Sequence, residues 1–212
     1  MSDVRQQIQQ GATALGQQLD ASQLASLETL LEELQRWNRR INLTAIRDVD
    51  EMVSGHVLDS LAVRSGLRGS AVLDIGTGAG FPGLPLAIVE RDVDFVLLDS
   101  NGKKISFVKH MIGKLGLGNV EAVKARAEDY APGKRFDTVI ARALATVPRL
   151  VQLSAHLVGE DGQLLALKGK YPAEELESIT TLPEWDFTVT PVEVPGLEAH
   201  ARHIVSLERT RA

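Results

Sequence analysis

The stretch that decides the fold runs from Val72 to Gly83 and reads Val-Leu-Asp-Ile-Gly-Thr-Gly-Ala-Gly-Phe-Pro-Gly. It begins as a short apolar run with β-branched residues, which is typical of a central parallel strand. Alternating glycines follow, and Pro82 stands where a helix could begin, because its missing N–H would have no partner in a first helical turn. The pattern predicts a buried strand that ends in a ligand-binding loop, although a plain glycine-rich turn would share this composition.

The spacing of the glycines narrows the kind of ligand. A dinucleotide fingerprint places its third glycine at the sixth position of the loop, where this chain has Phe81. The pattern here is Asp74 followed by Gly76, Gly78 and Gly80, which resembles motif I of S-adenosylmethionine-dependent methyltransferases. That ligand has an ammonium group, a sulfonium and a ribose diol, so acidic side chains and backbone carbonyls beside the loop suit it.

A second acidic residue supports a nucleoside ligand. Asp99 follows the apolar run 95–98, about 20 residues beyond the glycine loop. A carboxylate at this place accepts hydrogen bonds from ribose hydroxyls, whether the ligand is a nicotinamide dinucleotide or S-adenosylmethionine. Asp99 therefore does not choose between the two ligands.

Composition excludes several classes of protein. The chain has 212 residues, 44% of them hydrophobic, which fits one α/β domain with an extension. It has no cysteine, so a disulfide framework, a thiolate zinc site and a cysteine nucleophile are excluded. A single pair, His200 and His203, is too little to predict a metal site. The sequence has no long apolar segment and no secretion signal, so we expect a cytoplasmic protein without a membrane partner.

Helical periodicity precedes the glycine loop. Apolar residues recur at helical spacing over 4–19, and a leucine stripe runs from Leu24 to Trp37 behind a possible N-cap at Asp20. Trp37 continues this stripe, so a role in the core is favoured over stacking on a base. A further helix is expected over about 48–65.

Strands and helices alternate after the loop, and the last two strands are close enough in sequence to form an antiparallel pair. This order predicts an α/β protein with the Rossmann-like methyltransferase fold, in which a seven-stranded, mostly parallel sheet carries an N-terminal helical extension. We divide the chain into a helical extension, 1–66, packed on a methyltransferase domain, 67–212. The strands after the loop are expected at 95–98, 120–123, 136–140, 162–167, 186–194 and 202–209.

Charge is unevenly distributed along the chain. The net charge is −5, which argues against nonspecific coating of nucleic acid. Residues 36–47 nevertheless contain four arginines and no acidic residue, and residues 100–126 contain six basic residues against one acidic residue. A basic face that binds RNA is one interpretation, and ordinary solvated helix surfaces are the other.

Several motifs together resemble one family over about four-fifths of the chain. That family is RsmG, formerly called glucose-inhibited division protein B, a group of bacterial ribosomal RNA methyltransferases. The extended Gly-Thr-Gly-Ala-Gly-Phe-Pro-Gly sequence and the Trp-Asn block near the N-terminus make the resemblance specific. The matching stretches are Trp37–Thr44, His56–Ser60, Asp74–Pro85, Leu97–Ser100, Arg126–Glu128, Ala141–Ala143 and Leu167–Gly169.

The resemblance implies methyl transfer from S-adenosylmethionine to N7 of guanine 527 in 16S ribosomal RNA, within the small subunit or an assembly intermediate. It implies cofactor contacts at Gly76, Phe81, Ala127, Glu128 and Arg142. Gly78, Gly80 and Asp99 join this predicted cofactor site through the loop pattern.

Guanine N7 carries a lone pair and no proton, so such a transfer needs alignment and no general base. We therefore assign no catalytic acid or base. Arg142 follows the fourth strand, where it could hold the cofactor or an RNA phosphate, or could form a structural salt bridge.

Two other functions stay open at this point. The chain could methylate a small molecule or a protein, or it could be a noncatalytic ribosome-assembly module that binds the cofactor. If RNA is the substrate, we expect a monomer that binds RNA through six basic residues around the cofactor crevice: Arg36, Arg39, Arg40, Lys103, Lys104 and Lys168.

Overall fold

A computed structural model of the chain describes residues 3–179 and 184–210. Within those ranges seven strands form one sheet in the order β3-β2-β1-β4-β5-β7-β6. The strands are β1 (Ala71–Ile75), β2 (Asp94–Asp99), β3 (Val120–Lys124), β4 (Phe136–Arg142), β5 (Val158–Lys168), β6 (Trp185–Pro191) and β7 (His203–Arg209).

The sheet is parallel from β3 to β5 and ends in an antiparallel pair. β1 pairs in parallel with β2 and with β4, so the strand order reverses beside β1. β7 lies antiparallel to both β5 and β6. The predicted seven-stranded, mostly parallel sheet is confirmed. A ligand crevice is expected where the order reverses, at the carboxyl ends of β1 and β4.

Helices cover both faces of the sheet. No helix in the described part of the chain is both long enough and apolar enough to cross a membrane. The α-helices are α1 (Asp3–Ala14), α2 (Ala21–Asn38), α3 (Val49–Met52), α4 (Asp59–Leu61), α5 (Gly83–Val89), α6 (Gly102–Leu115), α7 (Val147–Ser154) and α8 (Ala173–Ile179). Short 3₁₀ turns cover Arg64–Gly66, Ala127–Asp129 and Ala155–Leu157.

Two predicted helices differ from the observed ones. α1 ends at Ala14, and Gly16 follows with a φ of 72°, a left-handed conformation that glycine adopts without steric cost. The predicted helix 48–65 is divided, because a π-helical segment at Val53–Leu58 separates α3 from α4. π-segments inside helices often occur at functional sites, and this one faces the end of β4.

α2 begins where the sequence predicted, because Asp20 forms a capping box. Its carboxylate accepts from the backbone N–H groups of Ser22 at 2.7 Å and Gln23 at 2.8 Å. The Gln23 side chain accepts in turn from the Asp20 N–H at 2.9 Å. These bonds satisfy N–H groups that a helix start leaves free.

The N-terminal helices and the sheet share one hydrophobic cluster. Leu27, Leu30 and Leu34 of α2 are fully buried, and the same cluster includes Leu97 of β2. Trp37 packs edge-on against Phe107 of α6, with ring centroids 5.5 Å apart. The boundary predicted at residue 66 therefore separates kinds of secondary structure that pack on a common core; the division into two domains stays a prediction.

Candidate functional site

A crevice of about 760 Å³ opens at the carboxyl ends of β1, β2 and β4. It lies at the reversal of strand order, where ligands bind in open α/β sheets. Its size is within the range of small-molecule sites. We call it the crevice, and it is lined by residues 76–79, Phe81, 98–101, Lys104, 125–128, 142–145, Arg149 and Leu153, with Leu43, Thr44 and His56.

The glycine loop exposes its backbone to this crevice. Gly76 and Gly78 have φ angles of 68° and 62°, which few other residues adopt. A Cβ atom on Gly78 would meet no other atom closer than 3.9 Å, so a side chain there would project into open space that a ligand can occupy. A Cβ on Gly76 would come within 2.7 Å of Leu144.

Gly80 has a different role in the loop. It does not line the crevice, and a Cβ added to it would overlap the side chain of Leu84. Its φ of 88° turns the chain toward α5. The structure therefore gives Gly80 a packing role, whereas Gly76 and Gly78 line the crevice.

Asp99 joins the end of β2 to the loop. One carboxylate oxygen accepts from the N–H of Gly78 at 2.9 Å, and the other accepts from the N–H of Asn101 at 2.7 Å. A carboxylate has about four acceptor positions, so each oxygen keeps a lone pair for a further donor. Two adjacent hydroxyl groups would match these positions.

Asp74 holds the glycine loop through hydrogen bonds. One of its oxygens accepts from the Thr77 hydroxyl at 2.6 Å and from the Gly83 N–H at 2.9 Å, while its other oxygen has no partner in the described part of the chain. Complete burial raises the pKa of Asp74 from 3.8 to about 6. A Cβ on Gly83 would overlap Leu97, so this close approach requires glycine.

Arg142 connects three distant parts of the chain. Its guanidinium donates to the Gly55 carbonyl at 3.1 Å and to Asp59 at 3.0 Å. The second oxygen of Asp59 accepts from Arg202 at 2.9 Å. The salt bridge considered for Arg142 therefore exists, and with 20% of its side chain exposed Arg142 also lines the crevice.

His56 is a neutral side chain beside Arg142. Its ring stacks on Phe81 with centroids 4.6 Å apart, and its Nε2 lies 2.9 Å from the Thr44 hydroxyl. Its Nδ1 lies 3.5 Å from Arg142. Burial, and then the charge of Arg142, lower the pKa of His56 from 6.5 to about 4, so it is uncharged at pH 7.

This pKa predicts a pH effect on stability. Between pH 6.5 and 4 the unfolded chain takes up a proton at His56 before the folded chain does, so stability present above pH 6.5 is lost as the pH falls. A His56→Gln variant lacks this loss, while Asp74 titrates in both proteins. Urea unfolding should show that the stability difference between wild type and variant is about 2 kcal/mol smaller at pH 5 than at pH 7.

The exposed His200 provides the control for this measurement. A His200→Gln variant is unfolded in parallel as the control for a histidine substitution outside the crevice. An equal pH dependence of wild type and His56→Gln would show that His56 does not titrate as the structure indicates.

Asn38 orders the turn that follows α2. Its side-chain oxygen accepts from the N–H groups of Leu43 at 2.8 Å and Thr44 at 3.0 Å, and its amide donates to the Thr44 carbonyl at 3.0 Å. This turn places Thr44 against His56 at the crevice. The Trp-Asn block thus contributes to the site through the backbone it orders.

The structure brings most of the predicted cofactor residues together. Seven of the eight line the crevice, and Gly80 is the eighth: the seven are Gly76, Gly78, Phe81, Asp99, Ala127, Glu128 and Arg142. Arg126 and Arg149 line it too, although neither is among the cofactor residues predicted from the sequence. The charge count offered a signal for Arg126, whereas nothing in the sequence marked Arg149.

The six predicted RNA-binding residues fall into two groups. Lys104 lines the crevice, while Lys103, Arg39 and Arg40 are exposed and make no ion pair with the described residues. The other two residues are already paired. Arg36 forms an ion pair with Glu33 at 3.1 Å and remains exposed, whereas Lys168 binds Glu175 at 2.7 Å and the Ala145 carbonyl at 2.9 Å, leaving 15% of its side chain exposed.

Comparisons with known proteins agree with this geometry. A family model described as rRNA small subunit methyltransferase G matches residues 23–205. Proteins of that name from Legionella pneumophila (strain Corby) and Nitrosococcus oceani are each 44% identical to this chain, over 92% and 97% of it and 90% and 95% of their own lengths. A crystal structure of a SAM-dependent methyltransferase from Thiobacillus denitrificans in complex with S-adenosyl-L-homocysteine matches the fold with a TM-score of 0.54 at 16% identity, covering 72% of this chain and 90% of that one.

Proposed function

Because the chain belongs to the rRNA small subunit methyltransferase G family, we propose that it transfers a methyl group from S-adenosylmethionine to N7 of guanine 527 in 16S ribosomal RNA. The observation that carries this proposal is the crevice, in which the open backbone of the glycine loop and the carboxylate of Asp99 lie side by side at the reversal of strand order.

The residues of the crevice fit this cofactor. The free lone pairs of Asp99 suit the ribose hydroxyls, and the segment around Ala127 suits the adenine. The open space at Gly78 admits a ligand against the loop backbone. When bound, S-adenosylmethionine supplies a methyl group that is activated by its sulfonium.

The polar groups near Arg142 support a reaction without proton transfer. The lowered pKa of His56 makes its imidazole a weak base that is already bonded to Thr44, and both oxygens of Asp59 accept from arginines. The N7 lone pair forms the bond to the methyl carbon while the electrons of the carbon–sulfur bond return to sulfur, so no base is needed. The protein then contributes alignment of the two reactants.

Cations around the crevice favour RNA over a small molecule or a protein as substrate. S-adenosylmethionine is positively charged overall, so Lys104, Arg126 and Arg149 do not attract it. A polyanion beside the cofactor would account for these charges. A noncatalytic assembly module is the second alternative, and it predicts cofactor binding without transfer. Cytoplasmic location and a monomeric state remain predictions.

The direct test uses small ribosomal subunits and their assembly intermediates from a strain that lacks this activity. Labelled methyl groups should be transferred to the particles, and mapping should place the label on N7 of guanine 527. Turnover on small molecules without RNA, or cofactor binding with no transfer to any particle, would support the corresponding alternative.

The proposed RNA surface makes a prediction about salt. Arg39 and Lys103 are exposed and have no ion-pair partner among the described residues. Each lost phosphate contact should lower the slope of log affinity against log salt by about 0.7–0.9. The double variant Arg39→Glu/Lys103→Glu should therefore flatten the slope by about one to two units in filter binding, with unchanged affinity for S-adenosylmethionine.

A matched control reverses two charges at the amino-terminal end of the strands. Lys134 and Arg135 are exposed just before β4 begins, away from the carboxyl ends of the strands. The variant Lys134→Glu/Arg135→Glu has the same net charge but should keep the wild-type slope. Equal slopes for all three proteins would show that RNA binds elsewhere.

A further inference from the structure

A second cavity of about 380 Å³ adjoins the crevice. The two share His56, Arg142 and Ala143, so they meet at the carboxyl end of β4. We call it the second cavity. Its walls come from the π-segment and α4, from the end of β5, and from the chain between β6 and β7, and they include Val63, Leu167, Val192 and Ile204 together with Asp59 and Arg202.

We propose that the second cavity receives the target guanine, turned out of the RNA stack, and that proton donors around Asp59 recognise its O6 acceptor. This inference rests on the proposed function and extends it to a binding site for the substrate base. Enzymes that act on a base take it out of the stack into a pocket that contacts its faces and its edge. A base in the second cavity would meet the crevice at the shared wall.

The apolar walls suit the faces of a base, and the polar groups favour guanine over adenine. Asp59 is paired with two guanidinium groups, since one of its oxygens accepts from Arg142 and the other from Arg202. Two guanidinium groups against one carboxylate leave this cluster with a net positive charge, which favours an acceptor on the ligand. Guanine presents the O6 and N7 acceptors on this edge, whereas adenine presents an amino group at the position of O6. An adenine amino group that faces these guanidinium groups would place donor against donor, which is costly in a buried site.

The shared wall carries a backbone conformation that is unusual for its residue. Ala143 has a φ of 50°, the left-handed region that a residue with a Cβ adopts at some cost. Such conformations cluster at functional sites. Ala143 follows Arg142 directly, at the point where the methyl group and the base would meet.

The experiment fills the second cavity and leaves the crevice intact. Val192 lines the second cavity and does not line the crevice, so a Val192→Trp variant should exclude the base. Transfer to small-subunit particles should fall at least about a hundredfold, because displacing a reactant by an ångström already costs that much. Calorimetry should show unchanged affinity for S-adenosylmethionine. Thr188→Trp, at an exposed position of β6 outside both cavities, is the matched control and should keep full transfer.

An Arg202→Met variant tests recognition of O6 separately. Loss of a charged donor should lower transfer about ten- to a hundredfold at unchanged cofactor affinity. If circular dichroism shows that Val192→Trp does not fold, Arg202→Met alone tests whether the second cavity binds the base. Full transfer by either folded variant overturns the inference, and so does a loss of transfer that comes with an equal loss of cofactor affinity, because the second cavity would then belong to the cofactor.

The wild-type protein keeps the two proposals distinguishable. If it transfers no methyl group to any particle, the proposed function fails. If it methylates guanine 527 and the cavity variants do so equally well, the proposed function stands and only the second cavity loses its assignment.

Discussion

An Arg142→Lys variant is expected to keep its fold but to lose methyl transfer about a hundredfold. The planar guanidinium donates to Gly55 and Asp59 and lies 5.8 Å from the centre of the Phe81 ring. An ammonium group on a flexible stem does not reproduce this fork. Loss of two hydrogen bonds to or from charged groups, each contributing about 1.5 kcal/mol or more, corresponds to this change in rate if they align the reactants.

Single-turnover transfer to ribosomal particles measures this loss, and urea unfolding checks the fold. Arg135→Lys is the matched control, because Arg135 is exposed before the first residue of the same strand, β4. It should retain wild-type transfer. A fully active and normally stable Arg142→Lys protein would limit Arg142 to a structural salt bridge.

An Asp99→Ala variant should bind S-adenosylmethionine about ten- to a hundredfold more weakly. The carboxylate holds the N–H of Gly78 and keeps lone pairs for the ribose hydroxyls, so the substitution loosens the loop and removes the acceptors together. Hydrogen bonds to a charged group contribute about 1.5–3 kcal/mol, which gives this range. Calorimetry with S-adenosylmethionine measures the change, and nicotinamide dinucleotides should not bind the wild-type protein.

Two further variants separate the contributions to this effect. Asp99→Asn keeps one oxygen that can accept from Gly78, so its affinity should fall between wild type and Asp99→Ala. Asp94→Ala removes an exposed carboxylate at the start of the same strand and should leave affinity unchanged. Equal affinities for wild type and Asp99→Ala would remove Asp99 from the cofactor site.

Local sequence was sufficient to predict the fold and the cofactor loop. The capping box at Asp20, the run into the glycine loop, and the position of Asp99 after β2 depend on residues close together in the chain, so spacing alone reveals them. The order of strands then follows from the few connections that an α/β chain permits. The predicted fold class and family are confirmed for this reason.

Tertiary structure alone decided how the charged groups are paired. Asp59 is 83 residues from Arg142 and 143 residues from Arg202, and no local pattern marks such partners. His56 and Asp59 are only three residues apart, and yet each meets Arg142 from the distant strand β4. Lys168 looked like a free cation in the sequence, but packing of α8 beside β5 gives it Glu175 as a partner.

The second cavity could not be predicted from the sequence either, since its walls come from segments that only the folded chain brings together. Burial and long-range charge, which set the pKa of His56 and the polarity of this cavity, are properties of the packed molecule. The sequence determined which elements form and where the glycine loop lies, because these depend on neighbours in the chain. Which side chains are paired, neutral or open to a ligand depends on neighbours in space.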